Sequence, residues 1–419
     1  MLTNKIIPQE KGIDHTLKLL KEGYLFIPNR VKAYQSSIFE TRLLGKKVIC
    51  ISGKHAAKLF YNEELFQRKG ALPKRIQKTL FGVNAIQTMD DERHRHRRLF
   101  FLDLLNEAGQ KRLVSITKIK WQMALRRWQA TDEIVLLDEV KYILCEAVCE
   151  WAGVPLGQSE VKRRADDFYA MVNAIGAVGP KYWQEKRART RTEACIKGLI
   201  EEVRTGKRHI VPHLALYQAA TYKDLEGNVL DVQMAAIELI NLLRPIIAIS
   251  IFITFTALAL YEHEDSKEKL GQGDERDLEM FVQEVRRYYP FAPFLGAIVR
   301  KNFIWRGCKF KKGTLVLIDI YGTNHNEDIW NAPYVFRPER FKDQGAHVFD
   351  FIPQGGGNLV TGHRCPGEGI TIELMKVSLD FLIHKMKFDI PKQDLSYSLT
   401  NIPSSPRSGL IIRNIQPKY

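Results

Sequence analysis

The sequence has few cysteines, and their spacing matches no common disulfide or zinc pattern. Its six thiols stand at positions 50, 145, 149, 195, 308 and 365 of 419 residues. Tight pairs of the kind that form disulfide frameworks or zinc sites are missing. Cys145 and Cys149 stand four apart in a helical pattern, where we expect them to be core residues on one face. Such scattered thiols indicate a reducing compartment.

Long apolar segments are also scarce. The first residues contain no run long enough for a signal peptide or an anchor. The one candidate, Pro245–Leu260, is shorter than the ~20 residues that a membrane span needs. A buried core helix is the better interpretation, so we expect a soluble, cytoplasmic protein without a membrane span.

Acidic residues are outnumbered by basic ones, 48 against 63, which gives a net charge of +15. This excess favours anionic partners, although a solvated basic surface is its ordinary explanation. The stretch "RHRHRR" at 93–98 is the best argument for nucleic acid, but no helix-turn-helix, RNA-recognition or finger motif accompanies it. A glycine-rich dinucleotide fingerprint is missing too, so a fused reductase is not expected.

Helical periodicity is what the sequence has in abundance. Apolar residues recur every three or four positions over long stretches, among them 55–66, 161–179 and 234–263. Strand patterns surround 47–52 and 296–322, and a last long helix is predicted from Gly367 to Lys387, followed by irregular chain. No break in composition marks a boundary. We therefore predict a mainly α fold with a small β region, in a single domain covering residues 1–419.

One apolar segment, "NLLRPIIAIS" at 241–250, contains two residues that are costly in a helix. Arg244 keeps its charge near neutral pH, so its burial requires an anion. Pro245 removes a backbone donor and tends to kink a helix. Glu238 lies six residues earlier, about 240° around the helix, and points elsewhere. An internal partner from another element stays possible, and the alternative is a binding site for an external carboxylate.

The segment "FIPQGGGNLVTGHRCPGEG" places Cys365 between three glycines, at 355–357, and the start of a helix. Backbone N–H groups at a helix N-terminus favour a thiolate, which is a soft metal ligand. Gly367 leaves room for a bulky flat group to approach the backbone. A catalytic nucleophile and a merely capped helix are the alternatives, whereas zinc is disfavoured because no second close pair of ligands exists.

Three other fragments have suggestive spacing. Glu284 and Arg287 stand at i and i+3 on a predicted helix, where they can pair. Arg340 in "FRPERF" is a candidate third member of this charge network. His94 and Arg98 stand four apart and share a helix face. Each fragment alone is ordinary, but their order along the chain is not.

With these motifs the chain resembles the cytochrome P450 superfamily from end to end. The resemblance implies the cytochrome P450 fold and a haem b, an iron protoporphyrin, with Cys365 as its axial thiolate ligand. It implies that Glu284, Arg287 and Arg340 lock the fold. It also implies that the haem propionates are held by three residues, which are His94, Arg98 and His363.

The central helix departs from most members of that superfamily, which have an acid–alcohol pair where this chain has Arg244 and Pro245. The chain resembles the fatty-acid peroxygenase branch, which shares "RP", "LPKR…LFG", "EVRRYYPF" and "EGITIE". That resemblance implies that a long-chain fatty acid and hydrogen peroxide react without a reductase. The substrate carboxylate would dock on Arg244 and act as general acid–base for peroxide cleavage. Hydroxylation would follow at Cα or Cβ, near the anchored head, and Pro245 would shape the helix beside the iron.

Gln87 in "LFGVNAIQ" stands where decarboxylating relatives carry histidine. An amide cannot titrate as an imidazole does, so we expect hydroxylation to dominate and Gln87 to line the substrate site, unless it is a passive loop amide. Phe81, Ile175 and Phe294 match positions expected along the acyl channel, although aromatic residues at such spacing are commonly plain core.

Other functions are compatible with the same motifs. Decarboxylation to terminal alkenes is the nearest alternative. A conventional monooxygenase would instead draw electrons from separate redox partners, and a third possibility is a basic haem-binding or nucleic-acid-binding protein without turnover. Arg244 favours the peroxygenase over the monooxygenase.

Overall fold

We describe the protein from a computed structural model that covers residues 5–177, 179–342 and 348–418. Helices dominate, as the periodicity predicts, and a small β region accompanies them. The prediction of a mainly α fold is confirmed. The helices are α1 (Thr16–Glu22), α2 (Phe26–Tyr34), α3 (Lys54–Phe60), α4 (Lys74–Ile76), α5 (Asp91–Leu104), α6 (Glu107–Trp128), α7 (Leu136–Ala152), α8 (Val161–Asn173), α9 (Pro180–Arg204), α10 (Ala215–Thr221), α11 (Val232–Glu262), α12 (Glu264–Gln272), α13 (Glu275–Tyr288), α14 (Ile320–Asn324) and α15 (Glu368–Asp380).

The strands form three sheets within the described residues. They are β1 (Ile38–Leu43), β2 (Lys46–Ile51), β3 (Phe66–Gln67), β4 (Glu133–Val135), β5 (Phe294–Val299), β6 (Phe303–Trp305), β7 (Cys308–Phe310), β8 (Leu315–Asp319), β9 (Met386–Asp389) and β10 (Ile411–Pro417). The largest sheet has the order β1-β2-β8-β5-β3, in which only β2 and β8 run parallel. The other sheets have the orders β4-β10-β9 and β6-β7.

Helix α11 is the central element of the main core. It packs against α7, α8, α9, α13 and α15. It begins at a cap, where the Asp231 carboxylate accepts the Met234 amide at 2.9 Å, and it is apolar on nearly every face. Among the described residues this helix alone is long and apolar enough to cross a membrane, but 94% of its most apolar window is buried inside the protein.

Several predicted boundaries were wrong. Helix α3 ends at Phe60 and α8 at Asn173, so the expected helices over 55–66 and 161–179 are shorter. The helix after Cys365 begins at Glu368 and its regular part ends at Asp380, after which a π-turn leads into β9. The expected irregular C-terminal chain contains β9 and β10. Strand β10 pairs with β9 and with β4, a distant partner that local periodicity does not indicate.

Candidate active site

Cys365 is presented by a glycine-rich loop that ends at α15. Its amide donates to the Gln354 carbonyl at 3.1 Å, and the Gln354 side chain lies 3.8 Å from the sulfur. Gly355 and Gly357 have φ of 91° and 87°, a region that favours glycine. A Cβ on Gly357 would lie 3.2 Å from Tyr61, so these glycines allow the loop to pack closely on α3.

The protonation of Cys365 is decided by two opposing effects. Burial raises the pKa of the thiol, while the Gly367 amide and the Arg98 charge lower it. The amide at the helix start therefore favours the thiolate, as expected, but it does not outweigh burial. A bound metal cation would supply the missing charge, since thiol ligands lose their proton on coordination.

A second group of side chains, which are basic residues, lies beside this loop. His94 and Arg98 occupy one face of α5, and the His94 ring stacks on His363 with 3.9 Å between centroids. Arg98 donates to the Leu359 carbonyl at 2.7 Å and to the Arg364 carbonyl. Burial and neighbouring cations lower the pKa of His94 to about 4 and shift that of His363 the same way.

Arg68 belongs to the same group and was not predicted from the sequence. It is buried, and it stacks on Phe60 with its guanidinium carbon 4.2 Å from the ring centroid. Its charge contributes to the lowered pKa values of His94 and His363. A single arginine in the loop segment "FQRKG" carries no spacing signal, so only the fold reveals its position.

Arg286 in α13 holds the cysteine loop through hydrogen bonds, and this residue was not predicted from the sequence either. This guanidinium is 1% exposed and donates to the Gln354 side chain at 2.9 Å and to Glu368 at 2.5 Å. Glu368 also pairs with Arg364 at 2.5 Å. One buried arginine therefore fixes both ends of the loop. The sequence motif pointed to its neighbour Arg287 and not to Arg286.

Glu284, Arg287 and Arg340 come together as their spacing predicts. Glu284 is fully buried and binds Arg287 at 2.7 and 2.8 Å and Arg340 at 3.0 Å. Arg287 also donates to the Asn324 and Pro333 carbonyls, at 3.0 and 2.8 Å. This network ties α13 to two later segments of the chain.

Arg244 is 4% exposed and lies next to the half-buried Pro245. It donates to the Leu80 carbonyl, and its guanidinium carbon lies 5.2 Å from the centroid of the Phe81 ring. Among the described residues no carboxylate lies within 4.0 Å of it. Burial and the charge of Arg189 lower the pKa of Arg244 to about 9, so it remains protonated at neutral pH.

Glu238 does not neutralise Arg244, as its position on the helix predicts. Its carboxylate binds Arg97 at 2.8 Å and the Ile86 amide at 3.1 Å. Asn241 lies one turn before Arg244 and donates to the Phe81 carbonyl at 2.9 Å and to the Gln87 side chain at 3.5 Å. Gln87 is therefore adjacent to the arginine site.

Two of the predicted channel residues belong to other parts of the fold. Ile175 is half-buried in the connection between α8 and α9. Phe294 begins β5 and packs against the small hydrophobic cluster that contains Phe26 and Phe39. Their place along an acyl channel stays a prediction.

Comparison with known proteins identifies the family. The family described as Cytochrome P450 matches residues 277–412. The structure of cytochrome P450EX alpha (CYP152N1) with myristic acid has a TM-score of 0.96 and 42% identity, covering 99% of this chain and 100% of that one. The chain belongs to the CYP152 family of cytochromes P450. The resemblance found in the sequence is therefore confirmed, and this cytochrome P450 is a haem-thiolate oxidoreductase.

Other relatives agree with this assignment. A variant of cytochrome P450 OleT in complex with arachidonic acid has a TM-score of 0.96 and 37% identity, covering 99% of each chain. The putative cytochrome P450 137 of Mycobacterium tuberculosis is 22% identical over 360 residues, which are 80% of this chain and 73% of that protein.

The residues of this cytochrome P450 fit a cysteine-ligated haem. Every residue of α11 from Ala235 to Leu260 is buried except Pro245, and Cys365 also keeps accessible surface although its thiol lies deep in the molecule. Pro245 and Cys365 thus keep accessible surface on the two elements that would face the haem. The group of Arg68, His94, Arg98 and His363 contains two charged guanidiniums and two imidazoles, and a single carboxylate lies within 4.0 Å of it among the described residues, that of Asp90 at 3.8 Å from His363. Acidic propionates would satisfy its donors.

Proposed function

We propose that this cytochrome P450 uses hydrogen peroxide to hydroxylate long-chain fatty acids at Cα or Cβ. One C–H bond becomes C–OH, and the peroxide becomes water. The proposal depends on one observation, the buried Arg244 that lacks a carboxylate partner among the described residues. Relatives with 42% and 37% identity were solved with myristic and arachidonic acid, which supports the substrate class.

Arg244 would bind the substrate carboxylate in place of the Leu80 carbonyl. A guanidinium matches a carboxylate with two parallel hydrogen bonds, and burial strengthens the pairing because water is excluded. The anchored head then fixes which carbons are within reach of the reacting centre. This fixed distance is the reason for expecting oxidation at Cα or Cβ rather than along the chain.

The proton transfers would depend on the bound carboxylate. Arg244 is protonated at neutral pH and cannot exchange protons there, and Glu238 is occupied by Arg97 and the Ile86 amide. A carboxylate held by Arg244 can accept a proton and return it. When bound, a haem would supply the oxidising chemistry, and the Cys365 thiolate would hold its iron.

The remaining residues would support this arrangement. In our proposal His94, Arg98 and His363, together with Arg68, hold the propionates, and Gly367 leaves room for the macrocycle. The fold would be locked by Glu284, Arg287 and Arg340. Pro245 would shape α11 beside the haem. The channel would be lined by Phe81, Ile175 and Phe294. The whole chain would act as one cytoplasmic haem-thiolate domain without a reductase or nucleic-acid partner.

The decisive experiment mixes the purified haem protein with tetradecanoate and hydrogen peroxide, without reductase or nicotinamide. Mass spectrometry should detect 2- or 3-hydroxytetradecanoate. The methyl ester has no carboxylate for Arg244 and should give no product under the same conditions. If turnover requires added electron-transfer partners, the conventional monooxygenase is correct and Arg244 is structural.

Gln87 decides between hydroxylation and decarboxylation in this proposal. Its amide cannot donate a titratable proton, so a terminal alkene should be a minor product. Gln87→His introduces an imidazole and should increase the share of alkene, measured by gas chromatography of the same reaction. Gln87→Asn is the matched control and should leave the share unchanged. An alkene as the main product of the unmodified protein would contradict our interpretation of Gln87.

A further inference from the structure

Two buried arginines donate to the same carbonyl oxygen. Arg244 from α11 and Arg189 from α9 both reach the Leu80 carbonyl, the latter at 3.0 Å. They are 4% and 2% exposed. A neutral amide oxygen cannot compensate two full positive charges that have been removed from water. The pair therefore requires negative charge from another source.

The chain supplies one carboxylate to this pair. Glu193 binds Arg189 at 2.5 Å, is 22% exposed, and also accepts from the Gln233 side chain at 2.9 Å. In the described part of the chain no other carboxylate lies within 4.0 Å of either guanidinium. The Nη2 atom of Arg189 is buried and has no hydrogen-bond partner. One positive charge and one buried donor thus remain uncompensated.

Local backbone geometry makes room for this second arginine. Gly82 has φ of 91°, and a Cβ there would lie 2.8 Å from the Nη2 atom of Arg189. The Arg189 charge also acts directly on its neighbour, since it lowers the pKa of Arg244 together with burial. An anion that binds Arg244 would therefore be attracted by both guanidiniums.

We infer that Arg189 is a positioning residue for the substrate carboxylate. Its charge strengthens the binding of an ionised acid at Arg244, and its bond to the Leu80 carbonyl fixes the segment against which Arg244 rests. This inference rests on the proposed function. It explains why the site would select ionised acids over uncharged lipids of the same length.

The test uses two variants that lose the same ion pair but change charge in opposite directions. Arg189→Met removes a cation, whereas Glu193→Gln leaves Arg189 without its anion. Each is titrated with tetradecanoate and with uncharged tetradecanol, and binding is followed by the haem absorbance of the holoenzyme. We expect tetradecanoate to bind about tenfold more weakly to R189M and several-fold more tightly to E193Q, because a unit charge acts over several ångströms in a partly screened interior. Binding of tetradecanol should not change.

A charge-conserving variant separates the effect of the Arg189 charge from the effect of its packing. Arg189→Lys should bind tetradecanoate within about threefold of the unmodified protein. If R189M and E193Q weaken binding alike, or if tetradecanol is affected as much as tetradecanoate, Arg189 only packs and the inference is wrong. E193Q and R189K carry the test even if R189M fails to fold. If the unmodified protein does not bind tetradecanoate, the proposed function fails as well, whereas normal binding with unresponsive variants overturns this inference alone.

Discussion

Replacing Arg244 by methionine should stabilise the protein while abolishing carboxylate binding. Burial and Arg189 lower the pKa of Arg244 from its ordinary value to about 9. At about 1.4 kcal/mol per unit, keeping this residue charged at pH 7 costs the folded state about 5 kcal/mol. The penalty is fully present below pH 9, because there the folded state holds a proton that its environment disfavours. A methionine side chain carries no charge, so the penalty disappears in R244M.

Part of that gain is offset by lost contacts. The bond to the Leu80 carbonyl is charge-assisted and is worth about 1.5–3 kcal/mol. Methionine replaces most of the aliphatic stem and is flexible enough to fill the remaining gap. The net stabilisation should be about 2–3 kcal/mol. With an unfolding entropy of about 2.1 cal/mol/K per residue, the Tm should rise by roughly 2–4 °C.

Thermal unfolding of the holoenzyme, with equal haem content in both proteins, measures both halves of this prediction. Tetradecanoate at about one hundred times its Kd should stabilise the unmodified protein by about 2.7 kcal/mol. It should leave the Tm of R244M unchanged. The higher Tm of R244M without ligand and its lack of stabilisation by tetradecanoate have the same origin. Both follow from the buried charge of Arg244, which has no carboxylate partner among the described residues.

The matched control is Arg287→Met, the same substitution at a buried arginine that has its own carboxylate. Arg287 lies 2.7 Å from Glu284, so its removal leaves a buried anion partly uncompensated and should cost about 3–5 kcal/mol. A Tm of R244M below that of the unmodified protein, or a Tm that still rises with tetradecanoate, would refute the reasoning about Arg244.

Two further substitutions test buried ionisable residues outside the Arg244 site. Glu284→Gln leaves two buried guanidiniums without their carboxylate and should lower the urea-unfolding free energy by about 3–5 kcal/mol. Glu107→Gln, which breaks the exposed pair with Lys111, should change it far less; equal losses would contradict the argument. Burial and the Arg287 charge lower the pKa of His325 to about 4, so between pH 6.5 and 4 the unfolded chain binds a proton that the folded one does not. Stability should therefore fall by about 3 kcal/mol as the pH falls through this range, and His325→Gln should flatten the profile of unfolding free energy against pH.

Motifs that lie within one helix or one short loop could be predicted from the sequence. Glu284 and Arg287 meet because i and i+3 positions share a helix face, and His94 and Arg98 align for the same reason. The glycines around Cys365 indicate a close loop, because few other residues adopt its backbone angles. In each case the contact follows from local geometry, so spacing is enough to find it.

Contacts between distant segments could not be predicted in this way. Arg68 and Arg286 contact residues that are far away in the sequence. Arg189 does so at the Leu80 carbonyl, although its pair with Glu193 follows from i, i+4 spacing. Strands β9 and β10 were not predicted, because β10 pairs with β4, which lies far away in the sequence.

The sequence by itself determined the chemistry of the site, since it contains a cysteine in a glycine loop and an arginine in an otherwise apolar core helix. Only the tertiary structure decided how those charges are compensated. Glu238 is bound by Arg97, Glu193 is bound by Arg189, and Arg244 has no carboxylate partner in the part of the chain that the structure describes. The physical reason is that the free energy of a buried charge depends on what packs around it, and packing is settled by the whole fold.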